Sequence, residues 1–82
     1  MKIVIAKKAQ KQYKRLPKPE QSKIKKKLLA ILQDPISGKK LEGELKGRRV
    51  VHAWPYRIIF SINEEKQLIE VSDILHRQGV YK

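Results

Sequence analysis

The 82-residue sequence contains no cysteine. Neither a disulfide nor a thiolate metal site can hold its fold, and the chain suits a reducing cytoplasm, the compartment we expect for it. Acid is scarce: eight Asp and Glu stand against twenty Lys and Arg, a formal charge of +12. The two histidines and the scattered acids have no metal-ligand spacing, so no metal and no cofactor are expected. A Walker-type glycine loop and a dinucleotide fingerprint are both missing. Apolar runs last only a few residues, where a bilayer span needs roughly 20, and nothing reads as a signal peptide. Aromatics make up 6% of the chain, and no basic helix face pairs with Trp or Phe, so membrane binding is not expected either.

What is present is a hydrophobic fraction of 40%, enough for one modest core, and we expect a single domain over residues 1–82. A field of +12 on so small a surface attracts polyanions: RNA, DNA or an acidic protein. Lysine-rich solvated helix faces are the plainer source of the same charge.

"KIVIA" has the β-branched character of a short strand. Ala6, Ala9, Tyr13 and Leu16 then recur at three- and four-residue spacing, one face of a helix that Pro17 ends. Pro19 suits the first position of a second helix, whose stripe is Ile24, Leu28, Ile31 and Leu32 and whose end is marked by Asp34-Pro35 and Gly38. "SGKKLEGELKG" reads as a loop. After it the period falls to two: "RRVVHAW" and "YRIIFSI" are strands meeting at Trp54-Pro55, "NEEK" is a turn and "QLIEVSDIL" a third meander strand. The expected fold is α+β, in the order β-α-α-β-β-β, a mainly antiparallel small sheet packed against a two-helix hairpin.

Alternation places Tyr56, Ile58, Phe60 and Ile62 under the helices and sends Arg57 to the opposite face. Lys46, Arg48, Arg49 and His52 precede it, and His76 and Arg77 follow the neighbouring strand. These are candidate base or phosphate-binding groups. Histidine is the natural proton shuttle near neutral pH, although a lone histidine is often structural. Tyr81 either stacks on an unpaired base or closes the edge of the core, and Trp54 reads as a plug of the hairpin. With no metal ligands, phosphodiester chemistry here must use the 2′-OH of RNA as nucleophile, with a base, an acid and cations supplied by His, Lys and Arg.

The segments "KLEGELKGRRVV", "YRIIFSI" and "DILHRQGVYK", in this order after a helical hairpin, resemble the RelE/ParE superfamily of type II toxin–antitoxin toxins. The resemblance spans essentially the whole chain. It implies an acidic antitoxin that wraps the basic surface. The RelE-like branch implies a ribosome-dependent endoribonuclease that cuts mRNA and leaves a 2′,3′-cyclic phosphate. On that branch Arg57 matches the arginine that holds the scissile phosphate, His76 and Arg77 match the acid and phosphate ligand, and Tyr81 matches an aromatic that orients the nucleotide. Val50 and His52 stand where relatives alternate basic residues, which leaves the general base open among His52, Arg49 and Lys46. The ParE-like branch implies instead a DNA gyrase inhibitor with no nuclease constellation.

Overall fold

The computed structural model describes residues 1–37, 39–40 and 47–76. Strand β1 (Lys2–Ile5) leads into helices α1 (Lys7–Lys14) and α2 (Lys18–Gln33), followed by a short 3-10 turn (Pro35–Ser37). Strands β2 (Lys39–Lys40), β3 (Arg49–Ala53), β4 (Tyr56–Asn63) and β5 (Leu68–His76) complete the chain of elements. They form one sheet in the order β1-β5-β4-β3-β2. Only the β1–β5 pair is parallel; the other three are antiparallel.

The expected α+β arrangement is therefore observed, with three differences. A two-residue strand, β2, sits inside the segment expected to be loop and pairs Lys39 with Val50 and Lys40 with Arg49. Helix α2 starts at Lys18, one residue before Pro19, which occupies the second helical position, where no intrahelical N–H bond is lost. Strand β5 continues through His76, which the period alone had left beyond the strand.

Helix α1 forms against its local signals. Lys7 and Lys8 occupy the first turn, where the helix dipole disfavours cations, and Ala6 provides no side-chain cap. Tertiary contacts supply what propensity does not. Ala9 is fully buried, Tyr13 and Leu16 pack on the core, and Lys8 Nζ lies 2.8 Å from Asp73 Oδ1. At the other end, Gln21 Nε2 on α2 donates to the carbonyls of Tyr13 and Leu16 at 3.2 and 3.0 Å, satisfying acceptors that the end of a helix leaves open. The α2 stripe buries Ile24, Leu28 and Ile31 against Ala53, Ile58, Phe60, Ile69, Val71 and Ile74 of the sheet.

Beyond Ile5, β1 no longer covers the outer edge of β5. Helix α1 takes its place, and Gln12 Oε1 accepts a 2.7 Å hydrogen bond from the Ile74 N–H. An uncovered strand edge is a template for wrong pairing, so this side chain both caps and shields it. Gln12→Ala leaves a part-buried N–H without its partner and is expected to cost about 1–3 kcal/mol. In a thermal melt that is a fall of roughly 4–24 °C in Tm for a domain of this size.

A bulge decides which way the end of β5 faces. Ile59 pairs with Asp73 but Phe60 pairs with Val71, so Ser72 is an extra residue, and its hydroxyl donates to the Ile59 carbonyl at 3.2 Å. Val71 and Ile74, three positions apart, therefore both face the helices. Every residue after the bulge is shifted by one pleat.

Candidate functional site

Strands β3 and β4 meet at Trp54-Pro55, and the candidate groups nearest that turn are the last residue but one of β3 and the second residue of β4. His52 pairs directly with Arg57 across the two strands. Residues so paired point to the same face with Cβ atoms about 4.5–5.5 Å apart. Both lie on the face away from the helices, because their neighbours Val51, Ala53, Tyr56 and Ile58 pack on the helical side. His52 is exposed and Arg57 half-buried. On its other side Arg57 pairs with Leu75, which supplies an apolar wall. An imidazole beside a guanidinium provides a proton-transfer group next to a planar fork of donors suited to a phosphate.

His76 is held differently. Its cross-strand partner is Tyr56, and the two rings meet edge to face with centroids 5.6 Å apart. The Ser72 bulge is the cause: without the extra residue His76 would fall on the Arg57 face, and with it His76 falls on the Tyr56 face. Strict alternation through β5 would set His76 on the Arg57 face, and the bulge corrects that. The two side chains share one end of the sheet and stand on opposite pleat faces.

Other candidates are dispersed. Arg49 pairs with Phe60 and so lies on the helical side, where its Nη1 donates to the Ile36 carbonyl at 3.3 Å. Arg48 is exposed, four residues before His52 and thus about 13 Å away along the strand direction. Lys46, Arg77 and Tyr81 lie outside the described residues. Among the described residues no group of three or more His, Asp or Glu gathers to hold a metal ion, and no helix is long and apolar enough to cross a membrane.

Sequence reasoning missed two participants. Tyr56 was assigned to the core alone, yet it also carries the His76 ring. Trp54 was read as a hairpin plug, but it is 64% exposed. The signal was present in the alternation. Ala53 holds the last core-facing position of β3, so the next side chain has no place in the core. The Trp54 carbonyl accepts from Lys23 Nζ at 3.5 Å, which ties the turn to the basic face of α2. Acid also collects at the far end of the sheet: Glu64 and Glu65 sit in the β4–β5 turn, about 27 Å from Tyr56 along β4.

A concavity of about 300 Å³ lies in the helical layer, apart from the His52–Arg57 pair, and is lined by Ile5, Gln10, Tyr13, Lys14, Lys25 and Leu28. Its walls are mainly apolar and its rim carries two lysines.

A mixed sheet under a helical hairpin, with a cationic sheet end, defines the class of small toxins of the RelE/ParE superfamily. The chain belongs to the family described as the ParE toxin of type II toxin–antitoxin systems, parDE, whose model matches residues 3–81. No curated protein sequence matches it. Among solved structures it is similar to the RelBE2 toxin–antitoxin complex of Mycobacterium tuberculosis, with a TM-score of 0.85 at 20% identity, covering 93% of this chain and 96% of that one. The isolated E. coli RelE toxin matches with a TM-score of 0.78 at 23% identity, covering 90% and 81% of the two chains. The archaeal RelE–RelB complex from Pyrococcus horikoshii matches with a TM-score of 0.80 at 22% identity, covering 96% and 97%. At these identities the likeness is one of fold.

Proposed function

We propose that the chain is a metal-independent endoribonuclease that acts on mRNA at the ribosome. The observation that carries this reading is the His52–Arg57 cross-strand pair at a sheet end of a chain with a formal charge of +12. In the proposed reaction His52 takes the proton of the 2′-OH, and that oxygen attacks the adjacent phosphorus. Arg57 neutralises the phosphorane, and the 5′-oxygen leaves with a proton. The products are a 2′,3′-cyclic phosphate and a 5′-OH.

His76 and Arg77 are the proposed proton donor and second phosphate ligand, with Tyr81 against the nucleotide. For His76 to act at the Arg57 phosphate its ring must leave Tyr56. Such an aromatic contact is worth about 0.5–1.5 kcal/mol, within what one charge-assisted bond to substrate returns.

An acidic antitoxin is the proposed protein partner. The RelB-bound RelE structures among the similar folds support it, as does the apolar groove at Tyr13 and Leu28 with Lys14 and Lys25 on its rim. A carboxylate-flanked apolar segment complements that groove.

One observation favours a second reading, inhibition of DNA gyrase: the matching family model is the one described for ParE toxins. Induction in a bacterial culture separates the two. The endoribonuclease reading expects mRNA to be cut within minutes, with the chromosome intact. Double-strand breaks with intact mRNA overturn it in favour of the gyrase reading.

A further inference from the structure

We propose that Trp54 is a stacking platform for an unpaired nucleobase of single-stranded RNA, set at the rim of the His52–Arg57 site. The inference builds on the endoribonuclease reading and adds a base-binding residue to it.

Three observations support it. Trp54 is 64% exposed in a two-residue turn, and among the described Phe, Tyr and Trp residues its ring is the one that lies open to solvent. Its position is fixed from both sides. Ala53 and Tyr56, which flank the turn, pair with each other, and Lys23 of α2 holds the Trp54 carbonyl at 3.5 Å. Cations flank the turn on both faces of the sheet: His52 and Arg57 lie just inside it on the face away from the helices, and Lys23 reaches it from the helical side, on a chain of formal charge +12. Two nearby acids already have cationic partners: Glu20 pairs with Lys23 at 3.3 Å, and Asp73, on the Arg57 face of β5, pairs with Lys8 at 2.8 Å.

An exposed aromatic next to cationic side chains is the arrangement by which proteins hold single-stranded nucleic acid. The cations follow the phosphates and the ring takes a base face. An acidic protein would also answer the charge. A base, however, matches a flat indole on a turn without needing a complementary pocket around it. With the phosphate at Arg57, a base on Trp54 would belong to a nucleotide beside the scissile one, so the platform would set where the strand is held.

The chain contains one tryptophan, so its fluorescence reports on this site alone. The test titrates full-length protein with a single-stranded oligouridylate of about eight nucleotides, within the site sizes known for single-strand binders, and separately with inorganic polyphosphate of equal charge. RNA is expected to quench the emission and polyphosphate to leave it nearly unchanged. Trp54→Ala is expected to weaken RNA binding by roughly 5- to 150-fold, the equivalent of about 1–3 kcal/mol per stacked base, and to leave polyphosphate binding as it was. Trp54→Phe keeps most of the RNA affinity.

Equal RNA affinity in wild type and Trp54→Ala overturns the inference. So does an equal loss for RNA and polyphosphate, or a loss confined to the antitoxin. Arg57→Ala, followed by mRNA cleavage, tests the parent reading without touching the stack. An active nuclease in which Trp54 is silent sinks only the platform, and stacking without cleavage sinks only the nuclease.

Discussion

His52→Ala is expected to lower the rate of mRNA cleavage by about 10²- to 10⁴-fold, the usual contribution of a positioned proton-transfer group. The reason lies in the register. Three residues compete for the role of general base, and only His52 is shown on the face of Arg57; Arg49 is committed to the Ile36 carbonyl on the other side. Arg57→Ala is expected to lose about 10²- to 10³-fold, as removal of a donor to a developing oxyanion does, and Arg57→Lys to recover little because a point charge cannot replace the planar fork. Arg49→Ala is the control, with cleavage near wild type. Since His52 is exposed and Arg57 only half-buried, thermal melts of the variants should lie close to the parent. A His52→Ala protein that melts like wild type and cuts at the wild-type rate removes His52 from the mechanism. First-order cleavage rates in a cell-free translation reaction provide the comparison.

Phe60→Ala is expected to cost about 3–5 kcal/mol, the range for deleting a buried aromatic. Phe60 is completely buried, in the central strand, between Arg49 of β3 and Val71 of β5 and beneath the helical hairpin. A domain of this length has a total stability of roughly 4–12 kcal/mol, so the substitution removes about a quarter of it or more. Urea unfolding should show the midpoint falling sharply. Leu29→Ala, at a side chain more than half exposed on α2, should move it by less than about 0.5 kcal/mol. A Phe60→Ala midpoint within that same margin would show that the core is not where these contacts place it.

Much of the fold was legible because its signals are local and periodic. Ile24, Leu28 and Ile31 fall on one helical stripe, and Ile58 and Phe60 on one pleat face, and each set is buried as its period requires. The burial of Val50 and Ile59, each 2% exposed on the face away from the helices, was less legible, since alternation puts Ile59 beside Arg57 without saying how deeply that face is covered. Strand β2 was hidden for a different reason. Lys39 and Lys40 carry no β-propensity of their own, and their pairing with β3 depends on a tertiary edge.

The candidate site was legible in its parts and not in its phase. His52 and Arg57 are two residues either side of a strand turn, and equal spacing from the turn pairs them. His76 required knowledge of the bulge at Ser72. The apolar spacing in β5 carries that slip: Ile69 and Val71 are two apart, then Ile74 follows at three. One extra residue in a strand reverses the face of everything after it, and period-two reasoning assumes there is none.

End-group analysis of mRNA from a cell-free translation reaction tests the central claim most directly. With the wild-type chain added, new termini should be 2′,3′-cyclic phosphate and 5′-OH, and Arg57→Ala should yield almost none. Intact mRNA, or ends bearing 3′-OH and 5′-phosphate, would contradict attack by the 2′-oxygen at the His52–Arg57 site.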